Sequence, residues 1–135
     1  MQEIDKHHEQ VHSKNLIFED KREGDYSKIK IMALKTKNII IEVDGFINSK
    51  TKENYFDPDK NKLYFIKHLG RQSFELCSLN IISSSTTVIK KFDNWDVYET
   101  PYIADFDKTN EKLTLQVINN DYRTESILID LKTAR

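Results

Sequence analysis

Leu113, Leu115 and Val117 alternate with Lys112, Thr114 and Gln116, and further on Ile127, Ile129 and Leu131 alternate with Ser126 and Asp130. A period of two sustained this long puts the apolar side chains on one face of an extended chain and the polar ones on the other. That is the pattern of half-buried antiparallel strands, and no helix can present it as a single face. Shorter runs with the same rhythm, rich in Ile, Val, Phe and Tyr, lie at 15–19, 28–34, 38–43, 62–68, 73–79, 86–92, 95–98 and 102–106. After residue 14 no segment has helical periodicity. The sequence therefore predicts an all-β fold, with about 8–10 short strands in a single antiparallel meander, sandwich or barrel.

With 135 residues the chain is expected to form one domain, 15–135, preceded by a polar arm or short helix over 1–14. Only three Gly and two Pro are present, so the turns must rest on Asn, Asp, Ser and Lys. Asp44-Gly45, between a β-branched run and Phe46, carries the pattern of a two-residue hairpin, with 46–48 starting the return strand. One pattern occurs twice, 50 residues apart. Phe56-Asp57, four polar residues and Lys62-Leu63 are matched by Phe106-Asp107, four polar residues and Lys112-Leu113. Little else aligns at that spacing. The recurrence therefore reads as one favoured hairpin solution used twice, each Asp capping its own turn, rather than as an internal repeat. A closed propeller would need at least four blades, more than this length holds.

The N-terminus is polar and acidic, unlike a signal peptide, and no apolar run approaches the ~20 residues of a membrane span. The expectation is a soluble cytoplasmic protein with no membrane association. The formal net charge of −1 gives no global field for nucleic acid. Cys77 is the only cysteine, which excludes an intrachain disulfide or a cysteine-based zinc cluster. It lies in an apolar run without a Cys-His signature and reads as a small buried hydrophobe.

Several patterns hold residue types that can carry chemistry. His8-Glu9-Gln10-Val11-His12 matches H-E-x-x-H, which on a helix would place His8 and His12 on one face with Glu9 as general base of a zinc hydrolase. The motif is short, it sits in a polar N-terminal segment, and His68 is the only histidine outside that segment to supply a third ligand. Adventitious metal binding through His7, His8 and His12 suits it better than catalysis. The carboxylate pairs Asp57/Asp59 and Asp105/Asp107 could serve glycosidase chemistry, but Asp57 and Asp107 each begin a turn, where Asp is favoured. Lys28, Lys30, Lys35 and Lys37 alternate with apolar residues and read as a solvated strand face that discourages edge pairing, not as a phosphate stripe. No phosphate loop or nucleophile elbow is present. The sequence therefore implies no enzyme and no cofactor.

The remaining pointer is 93–107. It holds five carboxylates, four aromatic rings and no Lys or Arg, while the rest of the chain mixes its charges. Carboxylates pair with Arg and Lys, and rings supply anchor area. The candidate surface comprises Asp93, Trp95, Asp96, Tyr98, Glu99, Tyr102 and Asp105. It fits a non-catalytic module that binds a basic protein, such as an inhibitor or immunity protein neutralising a nuclease toxin. The alternative class is a carrier of a small apolar ligand inside a β-barrel.

Overall fold

The computed structural model describes residues 16–23, 26–70, 73–93, 100–119 and 121–132. It is antiparallel β structure, with one four-residue helix among the described residues. The first sheet contains β1 (Leu16–Glu23), β2 (Tyr26–Ala33) and β3 (Ile39–Asp44). Helix α1 (Lys52–Tyr55) leads into the second sheet, which is β4 (Phe56–Asp57), β5 (Lys62–Gly70), β6 (Ser73–Asn80) and β7 (Ser85–Phe92). The third sheet is β8 (Tyr102–Asp107), β9 (Lys112–Ile118) and β10 (Thr124–Asp130). Each sheet is a meander in which every strand pairs with its chain neighbour. The described strands do not close into a barrel.

The sheets stack, with the second in the middle. On β5, Leu63 and Phe65 face the first sheet and join Leu16, Ile29 and Ile31 in one core. Tyr64 and Ile66, on the opposite face, join Ile103, Leu113, Leu115 and Val117 of the third sheet in another. β6 divides the same way, with Cys77 and Leu79 toward the first sheet and Phe74 and Leu76 toward the third. Strands buried on both faces read as near-continuous apolar runs. That explains the continuous apolar run Leu63-Tyr64-Phe65-Ile66 in β5, where β9 alternates.

The 50-residue recurrence extends far beyond a turn, which corrects the sequence reading. Phe56 pairs with Leu63 and Asp57 with Lys62, while Phe106 pairs with Leu113 and Asp107 with Lys112. The next hairpin keeps the offset, since Lys62 opposes Asn80, Leu63 opposes Leu79 and Phe65 opposes Cys77. In the third sheet Lys112 opposes Asp130, Leu113 opposes Ile129 and Leu115 opposes Ile127. Ile81 N–H donates to Asn61 C=O and Leu131 N–H to Glu111 C=O, both at 2.9 Å. Each repeat also sends a ring back to the preceding sheet. Phe56 meets Phe18 at 5.0 Å between centroids, and Phe106 meets Tyr64 at 5.5 Å. The structure thus contains an internal repeat spanning residues 56–81 and 106–131.

Glycine is too scarce to close the turns, and other residues take the left-handed conformation. Lys37, Asn61, Ser84, Glu111 and Tyr122 all have φ between 54° and 62°. Each costs roughly 1 kcal/mol or more relative to a right-handed residue. Short polar side chains offset this by capping. Asp57, only 4 % exposed, accepts from the N–H groups of Asp59 (3.0 Å) and Lys60 (3.4 Å). Asn80 does the same for Ile82 and Ser83, Asp107 for Asn110, and Asn119 for Asp121 and Arg123. The expected capping role of Asp57 and Asp107 is what the structure shows.

Asp44-Gly45 is not a hairpin, and 46–48 is not a return strand within the first sheet. Gly45 N–H still bonds Ser27 C=O in the first sheet, whereas Phe46 already exchanges two hydrogen bonds with Ile66 of the second. The chain changes sheets at one residue. Gly45 has φ +139°, and a Cβ there would lie 2.6 Å from the Phe65 ring and 2.9 Å from Ile66 O. The glycine serves a close crossing rather than a turn. Gly45→Ala is expected to destabilise the fold by about 3 kcal/mol through backbone strain and overpacking. Urea denaturation would measure it, with a lowered midpoint at unchanged slope.

Candidate partner-binding surface

The described part of the 93–107 region is organised by a strap. In the third sheet the first strand runs unbroken from Tyr102, opposite Gln116, to Asp107. In the second sheet the equivalent path starts at Phe46, opposite Ile66, and reaches Asp57 with six residues more. The excess loops out as 47–55, including α1, and lies along the edge of β8. Ile103 N–H donates to Asn48 C=O (2.8 Å), and Asn48 Nδ2 donates to Pro101 C=O (2.8 Å). Ser49 Oγ bonds Ile103 C=O (2.9 Å), and Asn54 Nδ2 bonds Ala104 C=O (3.1 Å). Side-chain amides and a hydroxyl do for β8 what a neighbouring strand would do. The polar run Asn48-Ser49-Lys50-Thr51-Lys52-Glu53-Asn54 between two phenylalanines was the sequence signal for this strap, and its role was missed.

The candidate residues fall in different places. Tyr102 is half-buried, and its hydroxyl accepts from Lys50 N–H at 3.2 Å, so the strap holds the ring at β8. Asp105 is exposed; the register shifts between Ile103 and Asp105, and the extra residue re-aims the strand there. Asp93 is exposed just after β7, the edge strand of the second sheet. Asp93 thus follows the second sheet, while Asp105 stands on β8 of the third. Trp95, Asp96, Tyr98 and Glu99 lie outside the described residues. Asp107 belongs to turn architecture, because Asn110 donates to it from both side chain (2.8 Å) and backbone (3.2 Å). Those bonds hold its carboxyl below the usual range, the side-chain bond contributing most. The resulting stabilisation is present above the unfolded carboxylate range and is lost as pH falls through the folded value.

The two repeated turns also touch each other. Lys60 of the first pairs with Glu111 of the second, and Lys108 of the second approaches Asp59 of the first at 3.9 Å. This reciprocal crossing ties the second and third sheets at one rim, and single-sequence reading had no signal for it. Elsewhere the charges balance locally. Lys28 pairs with Glu42 at 3.0 Å, and Lys30 stands between Glu19 and Glu42 across the outer face of the first sheet. Lys28 and Lys30 are part of a mixed, solvated strand face, whereas the exposed Lys35 and Lys37 lie in the connection between β2 and β3 and not on a strand.

His8 and His12 lie outside the described residues. His68 is exposed on β5 beside the Phe74 ring at 5.1 Å. Among the described residues no group of three metal-ligating side chains gathers. No helix among them is long and apolar enough to cross a membrane. The barrel interior imagined for an apolar ligand has no counterpart in the described strands, since the spaces between sheets are filled by the two cores.

No protein-family model matches the sequence, and no curated protein matches it. Among solved structures, the chain is similar to the β-propeller domain of the Trilobed protease from Pyrococcus furiosus, described as having an open velcro topology. The TM-score is 0.57 at 12 % identity, over 89 % of this chain and 37 % of that one. The likeness is one of fold: meandering sheets packed face to face in chain order, as propeller blades are. The chain spans little more than a third of that structure's length.

Cys77 lies in the core between the first and second sheets, and burial pushes its thiol up to about 11. At pH 8 it is expected to react with a disulfide reagent more than ~100-fold slower in the native protein than in urea. A stopped-flow comparison of the two rates checks this, and near-equal rates would contradict the packing described.

Proposed function

We propose that this chain is a non-catalytic protein-binding module that captures a basic partner, in the manner of an inhibitor or immunity protein acting on a nuclease-like enzyme. One observation carries the reading: 93–107 concentrates five carboxylates without a single base, and two of them, Asp93 and Asp105, are exposed. Neither carboxylate belongs to the two cores. Fixed negative potential speeds capture of a cationic surface and penalises loss of pairing. The solved structure that this chain resembles is described as one domain of a protease.

The test is a partner isolated on immobilised protein and then measured in purified form by calorimetry. Asp93→Lys with Asp105→Lys is expected to weaken its affinity by about tenfold or more and to flatten the salt dependence, with unchanged circular dichroism. Unchanged affinity in the doubly reversed variant would remove 93–107 as the binding surface.

A further inference from the structure

The internal repeat shows which neighbour of β6 has no counterpart beside β10 among the described residues. In the second sheet β7 covers the outer edge of β6, with Glu75 opposite Lys91 and Ser78 opposite Thr87. In the third sheet β10 occupies the place of β6, and among the described residues no strand follows it. Thr124, Glu125, Ser126 and Leu128 are exposed there, Leu128 at 62 %. Leu131 N–H points inward to Glu111 C=O, so strand alternation turns the N–H and C=O of Ser126 and Leu128 toward the open edge. Glu125 stands where Glu75 stands, the position that faces a lysine when the fourth strand is present. β10 also carries Asp130 and no base of its own.

We propose that the outer edge of β10 is a strand-addition site for an extended segment of a partner protein, one with β-branched residues and a Lys or Arg opposite Glu125. The occupant's chemistry follows from β7, Ser-Thr-Thr-Val-Ile-Lys-Lys-Phe, which fills the same place one repeat earlier. Main-chain bonds to Ser126 and Leu128 supply affinity, and the base against Glu125 supplies direction and selectivity. The inference does not depend on the reading of 93–107, because it rests on a different edge.

The test uses the capped peptide corresponding to residues 85–92 as probe, titrated into the labelled protein and followed by amide shifts and hydrogen exchange. The expected result is slowed exchange at Ser126 and Leu128 and shifts along β10, with binding weakened about fivefold by Glu125→Lys or by a peptide whose two lysines are glutamates. No response at β10 at millimolar peptide, or equal binding by Glu125→Lys, overturns the proposal. Protection of both amides without peptide also overturns it. If that protection grows with protein concentration, a second copy occupies the edge. If it is independent of concentration, the chain covers the edge itself.

Discussion

The centre of the second sheet, on β5 and β6, is buried on both faces, and the rest of the structure answers to that. Leu63 and Phe65 need the first sheet over them, and Tyr64 and Ile66 need the third. A meander that exposed either face would leave large apolar side chains in water, at ~1.5–3 kcal/mol for each. The order of the stack follows from the same fact. Only the middle position offers two covers, and among the described strands only β5 and β6 bury apolar residues at both parities. The flanking sheets are apolar toward the middle, and the third is polar on its outer face, where Thr114, Gln116, Thr124 and Ser126 replace Tyr64, Ile66, Phe74 and Leu76 of the repeat. Terminal units of stacked arrays take this form.

That replacement also explains what the sequence could and could not disclose. Alternation in β9 and β10 was plain because one face meets water. The repeat was hidden because half of its positions changed character with their surroundings. Face-matched positions stayed apolar without staying identical, as with Phe65 and Leu115 or Cys77 and Ile127. Only the turn kept its letters, Phe-Asp at the start and Lys-Leu at the end, because the capping carboxylate and the ring directed back to the preceding sheet have the same task in both places. Asp44-Gly45 misled for a related reason. A glycine needed for close approach has the same letter as one needed for a turn, and Phe65, which presses on it, is 20 residues away.

The candidate site was legible as composition and not as geometry. Charge segregation over 93–107 is visible in any reading of the chain. The division of labour within it depends on neighbours distant in sequence: Lys50 claims the Tyr102 hydroxyl, Asn110 claims Asp107, and Asp105 stays exposed. The strap of residues 47–55 could not be foreseen because its partners lie about 50 residues downstream. Its polar composition looked like an ordinary loop.

The two-sided burial also bears on how the chain is made. During synthesis from the N-terminus, β5 and β6 emerge after the first sheet and can cover one face at once. Tyr64, Ile66, Phe74 and Leu76 then wait for the strands at 102–130, and the edge of β8 is sealed only when it meets the strap already in place. A ribosome adding ~5–20 residues per second leaves that surface bare for seconds. The half-made protein is therefore the form most open to chaperones and to self-association, and slow codons between β7 and β8 would lengthen that interval.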